Sequence, residues 1–345
     1  MSSSSQLHTS PPVIGITLGD SNGIGPEILI KALHEKVHEY PFLPVVYGDA
    51  ALLNRVAEKL GAAVSFEAVP DYPATSLGEG SVPVLECGAK VVAYRPGTED
   101  PDAGANAALW IEEGSRAALT GKVNALVTCP VNKDVMMQGG CPYAGHTPML
   151  AALTNTPVCY MSLFADHMRI VHITAHLSMR DAVDAVKTER ILDAIEISHL
   201  TLKQMGFQTP RIAVAGLNPH AGEMGAFGHE EAEEIAPAVA RARAQSICCE
   251  GPFSPDTVFA KMAEGEFDLV VAMYHDQGHI PFKLVAMDEG VHVTLGLPFV
   301  RCSPDHGTAY DIAGRGEARH DSMYAALQLA ARWAQFSTTT QEVAK

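Results

Sequence analysis

The sequence predicts an α/β protein built on a mostly parallel sheet. Short β-branched runs alternate with longer stretches of helical periodicity, and nearly every run ends in Gly or a polar residue. The chain has 345 residues, 47% of them hydrophobic, enough core for two domains or one large α/β domain.

In chain order, PVIGITLGD leads into GPEILIKALHEKV, with Pro26 suited to the first turn of the helix, and FLPVVYGD leads into AALLNRVAEKL. NALVTCPV, MRIVHITAH, RIAVAGLNPH and FDLVVAMYHDQG read as later strands. The runs end at Gly19-Asp20, Gly48-Asp49, Cys129-Pro130, His176, Asn218-Pro219-His220 and His275-Asp276-Gln277. Open α/β sheets bind ligands beyond the carboxyl ends of their strands, so these endings are expected to converge on one site. No internal repeat is visible and no Pro/Gly linker divides the chain, so two domains would have to interleave. The Ser-rich start and the STTTQEVAK end are low in complexity and read as disordered tails.

Composition removes several function classes. A formal charge of -16 argues against a nucleic-acid partner, which needs clustered Lys and Arg. The longest apolar runs fall far short of the roughly 20 residues of a membrane span, so no membrane role is expected. The first eleven residues lack a basic segment followed by an apolar one, which favours a flexible tail over a signal peptide and a cytoplasmic location. The seven cysteines are never spaced C-x-x-C, a pattern of reduced thiols, with Cys129 the one placed at a strand end.

Two clusters carry chemistry. His176, His220 and His275 each follow a strand or short loop, where neutral imidazoles can hold a divalent cation and leave positions open for substrate oxygens. With fifteen histidines in the chain, an ordinary loop role explains any one of them, and His172 reads as packing. The second cluster, His146, Thr147, Lys283, His292 and Arg301, with Lys133 nearby, offers a guanidinium fork, point charges and a hydroxyl suited to a small anion. The loop from Asp305 to Gly316 is rich in Gly and small polar residues that allow close approach to a ligand. Asp311 within it can accept ribose hydroxyls and repel a 2′-phosphate, which favours NAD.

The segments GHT (145–147), NPHAGE (218–223), MYHDQG (273–278), VTLGLPFVR (293–301) and DHGTAYDIAGRG (305–316) together resemble the 4-hydroxythreonine-4-phosphate dehydrogenase family, from about Val13 to about Ala331. The GD…GIGPE opening and the HGTAYDIAG loop also resemble the isocitrate/isopropylmalate dehydrogenase superfamily. The resemblance implies two interleaved α/β/α domains, 12–125 plus 295–337 and 126–294, with tails at 1–11 and 338–345. The active site would lie in the cleft and be completed by a homodimer.

The resemblance assigns His176, His220 and His275 to a divalent metal, zinc or alternatively magnesium, manganese or cobalt. It assigns His146, Thr147, Lys283, His292 and Arg301 to substrate, and Asp20, Asp305, His306, Gly307, Thr308, Ala309 and Asp311 to NAD. The implied reaction, a step of pyridoxine biosynthesis, is oxidation of the C3 hydroxyl of a 4-phosphorylated acid of the 4-phosphooxy-L-threonine type, followed by decarboxylation. Lys133 or Asp276 could serve as general base. Two departures bear on the substrate. His292 stands where the biosynthetic enzyme has Asn, and GHIPFK (278–283) looks more like paralogues acting on D-threonate or D-erythronate 4-phosphate. More distant readings are a phosphate acetyltransferase-like transferase and a metal- or phosphate-sensing protein that kept the fold.

Overall fold

The computed structural model describes residues 11–34, 41–72, 80–91 and 93–343, with side chains up to 336. Most of the start-tail expectation, residues 1–10, lies outside the described residues. The first third of the chain forms β1 (Val13–Thr17), α1 (Gly25–His34), β2 (Leu43–Tyr47), α2 (Ala50–Leu60), β3 (Ser65–Val69), β4 (Ser81–Leu85), α3 (Pro101–Leu119) and β5 (Ala125–Thr128). The middle forms α4 (Lys133–Gln138), α5 (His146–Thr154), β6 (Tyr160–Phe164), β7 (Arg169–His172), α6 (Met179–Ala185), α7 (Thr188–Gln204), β8 (Ile212–Ala215) and α8 (Ala236–Ala244). The rest forms β9 (Cys249–Phe253), α9 (Val258–Ala263), β10 (Leu269–Ala272), α10 (His275–Ala286), β11 (Val291–Leu295), β12 (Val300–Pro304) and α11 (Asp321–Val343). The backbone of α11 is thus helical past residue 338, where a tail was expected.

Sequence chemistry sets the boundaries. Asp49 caps α2 by accepting the Leu52 N–H at 2.8 Å, and Gly61 closes that helix at φ 65°. Asp100 and Pro101 start α3, and Asn132 caps α4 by accepting the Asp134 and Val135 N–H groups.

Among the described residues, the twelve strands form one sheet in the order β3-β4-β2-β1-β5-β12-β11-β6-β7-β10-β8-β9. Strands from both chain ends make up one half, and strands from 160–295 the other. All neighbours are parallel except at β12-β11, β11-β6 and β6-β7. The two parallel blocks therefore run in opposite directions, so their strand endings point to opposite ends of the sheet, and residues after β12 and β10 meet only where α10 runs back along it. The endings at Asp20, Cys129 and Asp305 gather at one edge, and those leading to His176, His220 and His275 at the other. Hydrophobic periodicity carries no information on strand direction, so this reversal was invisible in the sequence.

The core lies against the sheet faces. The main cluster includes Ile14, Ile16, Trp110, Leu126, Val127 and Val293, and a smaller one under α10 joins Leu163, Ile170, Val270 and Phe282. Among the described residues no helix is long and apolar enough to cross a membrane. All seven cysteines are free thiols. Cys129 is buried in the core and burial pushes its thiol well up, so it is a packing residue.

Candidate active site

The anion cluster forms where the two blocks meet. Arg301 on β12 is 2% exposed, yet among the described residues no carboxylate pairs with it. Its Nη1 donates to His292 Nδ1 at 2.8 Å and to Thr294 Oγ1 at 3.1 Å, and its Nη2 donates to Thr128 Oγ1 at 2.5 Å. Its buried Nε has no hydrogen-bond partner among the described residues. Burial pushes this guanidinium down to about 10, leaving it cationic at neutral pH. A buried cation held only by neutral groups is costly unless an anion arrives to pair with it.

His146 begins α5 behind Gly145, whose φ of 105° sets the turn, and Thr147 follows it in the first turn. His146 Nε2 is buried with no hydrogen-bond partner among the described residues. Burial, then the charges of Arg301, His292 and Lys133, hold the ring well below the usual histidine range. Lys133 opens α4, and its alkyl stem lies against Gly145, where a Cβ would come within 3.2 Å of it. Its charge also acts on His176, which burial depresses first. Lys133 thus stands between the two clusters. Lys283 on α10 pairs with Asp305 at 3.2 Å, so a residue assigned to substrate and one assigned to cofactor hold each other.

The histidines form a connected set. His176 and His275 have ring centroids 5.9 Å apart, and His279 stacks on His275 at 3.6 Å. His275 Nδ1 donates to Asp276 Oδ1 at 2.6 Å, which leaves its Nε2 lone pair free. Buried His172 donates from Nδ1 to the Met161 carbonyl at 3.2 Å and accepts from His279 at 3.2 Å. Burial holds His172 down to about 3, a neutral support for the ring above it. Gly278 makes this packing possible, since a Cβ there would lie 2.4 Å from His172 Nε2.

His220 stands apart. It is exposed, its ring neighbour is Phe227, and among the described residues no three His, Cys, Asp or Glu side chains gather closely enough to hold a metal. Its backbone belongs to a left-handed turn of five residues, His220 to Met224, with φ between 41° and 77°. Only Gly222 among them adopts this region without strain. The buried Glu231 carboxylate secures the turn by accepting from Leu217 N, Asn218 N and Asn218 Nδ2 at 2.7–3.0 Å. Gln277 ties the neighbouring strand end in place, accepting the Met273 N–H at 2.6 Å and donating to the Gly216 carbonyl at 2.7 Å.

The proposed cofactor loop packs on the first loop of the chain. The Tyr310 hydroxyl donates to Asp20 Oδ2, the Ile24 N–H donates to the Thr308 carbonyl, and the Gly316 N–H donates to Glu27 Oε2. Asp20 is buried, and burial raises its carboxyl above the usual range. Its contacts are those of a loop anchor. Asp311, His306 and Gly307 are exposed, while Asp305, Thr308 and Ala309 are half-buried. A Cβ at Gly307 would meet nothing, so open space lies before the loop.

Sequence reasoning missed Thr128, Thr294, Gln277, Glu231 and Tyr310. Gln277 and Tyr310 sit inside motifs that were singled out, and their polarity beside apolar runs was the available signal. Thr128 carried none, because its partner Arg301 is 173 residues away.

Cavities frame the histidines. One of about 270 Å³ is lined by His176, Leu177, Met179, Tyr274, His275 and Asp276. Another of about 490 Å³ is lined by Met161, His275, Asp276, His279, Lys283 and Asp305. A further cavity of about 500 Å³, lined by Arg169, Tyr324 and Arg332 among others, includes none of the site residues.

Residues 42–330 match the family described as pyridoxal phosphate biosynthetic protein PdxA. The chain belongs to this family. Among PdxA relatives, a D-threonate 4-phosphate dehydrogenase of Cupriavidus necator is 41% identical, over 94% of this chain and 97% of its own. A 4-hydroxythreonine-4-phosphate dehydrogenase of Desulfosudis oleivorans is 42% identical, over 92% and 95%. A solved 4-hydroxythreonine-4-phosphate dehydrogenase of Klebsiella pneumoniae superposes with a TM-score of 0.87 at 42% identity, covering 94% of this chain and all of that one. The PdxA fold therefore extends over nearly the whole chain. Overall identity does not separate the two named activities.

Proposed function

We propose that this protein is an NAD-dependent, divalent-metal-dependent dehydrogenase. It oxidises the C3 hydroxyl of a 4-phosphorylated four-carbon hydroxy or amino acid, after which the acid loses carbon dioxide. The observation that carries this reading is Arg301, a buried cation with no carboxylate partner among the described residues, held by the Thr128 and Thr294 hydroxyls and by neutral His292, which lies within the field of His172, His176 and His279. Relatives named as dehydrogenases of two such acids support it.

The donor set suits a divalent metal. His275 is oriented by Asp276 with its Nε2 lone pair free, and burial keeps His176 neutral. When bound, the metal would lower the pKa of the C3 hydroxyl and later stabilise the enolate left by decarboxylation. Among the described residues of one chain, His220 reaches no such partner. The exposed apolar side chains Leu177, Met179, Met224, Phe227, Ile280 and Leu284 support a homodimer in which the partner subunit's His220 completes the site.

Arg301, His146, Thr147 and Lys283 hold the substrate's anionic groups and fix its distance from the histidines. Lys133 is the better placed base, because Asp276 is engaged by His275 while Lys133 lies beside both His176 and His146. Asp311 would accept the ribose hydroxyls of NAD, which takes the hydride. Oxidation at C3 gives a β-keto acid, whose loss of carbon dioxide leaves a three-carbon phosphorylated ketone. The reading is tested by incubating the protein with NAD, a divalent metal and 4-phosphooxy-L-threonine, D-threonate 4-phosphate or D-erythronate 4-phosphate. NADH from at least one is expected. No NADH from any of them contradicts it.

A further inference from the structure

We propose that Lys283 and Asp305 form an exchange pair that makes the acid and NAD bind cooperatively. The acid's anion draws Lys283 away, and the Asp305 carboxylate thereby uncovered accepts hydroxyl groups of the cofactor. This rests on the function proposed above. Lys283 Nζ lies 3.2 Å from Asp305 Oδ2, and among the described residues neither group has another ion-pair partner. Both residues line two cavities at once. One, of about 490 Å³, is lined also by His275 and His279, and the other, of about 200 Å³, by His306, Arg319 and Ser322. The pair is therefore a wall shared by the histidine cavity and the start of the loop from Asp305 to Gly316.

The two partners differ in freedom. The Asp305 N–H donates to Ser322 Oγ at 3.0 Å, and that hydroxyl donates to the Gly290 carbonyl at 2.6 Å, so the backbone under the carboxylate is pinned. Lys283 carries its charge on a flexible four-carbon stem, and its side chain is 40% exposed against 15% for Asp305. Opening the pair thus means turning Lys283, with the carboxylate left in place. Among the described residues lining the histidine cavity, Lys283 is the one Lys or Arg, and the other carboxylate, Asp276, is engaged by His275. In the free protein Asp305 competes with an arriving anion for Lys283, and Lys283 competes with an arriving hydroxyl for Asp305. The first ligand must break the pair, whereas the second finds it open. The coupling is positive, and linkage makes it equal in both directions.

The test is calorimetric, with NADH in place of NAD so that no hydride is transferred. The second ligand is 4-phosphooxy-L-threonine or D-threonate 4-phosphate, whichever binds more tightly, and inorganic phosphate serves as a separate probe. In the wild type each ligand is expected to lower the other's Kd by about 2–10-fold, the scale of a partly exposed ion pair. Asp305→Asn should tighten binding of the acid in the absence of NADH and remove the coupling. Lys283→Met should tighten binding of NADH in the absence of the acid. Independent Kd values in the wild type overturn the inference, as does acid binding that weakens in Asp305→Asn or a coupling that survives there. If neither acid binds while inorganic phosphate still tightens NADH, the proposed substrate falls and the exchange stands. If no anion binds, or NADH does not, both fall. Should one variant fail to fold, the other and the wild-type factor decide.

Discussion

Arg301 concentrates the residue-scale argument. Its guanidinium is buried among Thr128, Thr294 and His292 with no counter-charge among the described residues, so it costs the free protein stability unless an anion binds. Arg301→Met is expected to lower kcat/KM by about 100-fold or more, the scale of losing a buried charge pair, while Tm holds or rises. A Tm that collapses with kcat/KM intact would make the residue structural. Acidity acts on the neighbouring imidazoles. His146 and His292 are held neutral in the fold, whereas in the unfolded chain they take protons near pH 6.5. Below that pH the unfolded state binds protons the native state refuses, so stability falls as pH falls, by up to about 1.4 kcal/mol per pH unit for each ring. Urea unfolding followed from neutral pH downward should show a shallower loss in His292→Asn than in the wild type, and equal slopes would contradict this.

At the scale of elements, the left-handed turn after β8 holds His220 in a strained backbone that Glu231 secures. Removing that carboxylate in Glu231→Ala frees three hydrogen bonds and should cost about 2–4 kcal/mol in denaturant unfolding. It should also weaken metal binding measured by calorimetry, and unaltered stability and metal affinity would show that the turn holds itself. The strands that the sequence announced were the ones followed by helices or polar endings, β1, β2, β5, β7, β8 and β10. Strands β3, β4, β6, β9, β11 and β12 were not read as strands: their runs are short, and β3, β4, β9 and β12 also carry Pro, Glu or Arg. Helix starts at Asp49, Asp100 and Asn132 follow local capping chemistry, which acts within a few residues and is readable from sequence.

For the whole molecule, what the sequence could not convey was direction. The central antiparallel strands β6 and β11 turn one parallel block against the other, so the anion cluster and the histidines meet across the sheet's middle. The site residues were legible as types, and their pairing was not: Lys283 with Asp305, and Asp20 with Tyr310, join positions 22 and 290 residues apart. A second copy would cover the apolar face of α10 and bring its own His220 turn with it. Leu284→Glu, at a side chain 82% exposed, should shift sedimentation toward the monomer and lower turnover at least tenfold, though Leu284 lies outside the proposed chemistry. A monomeric wild type, or a monomeric variant with full turnover, would remove the shared site.

The central claim joins two bond-breaking events in one site, and counting both products tests it most directly. With NAD and a divalent metal, each 4-phosphorylated acid that is consumed should yield one NADH and one carbon dioxide, and both should stop when a chelator is added. NADH without carbon dioxide, or turnover indifferent to the chelator, would contradict a metal-dependent oxidative decarboxylase.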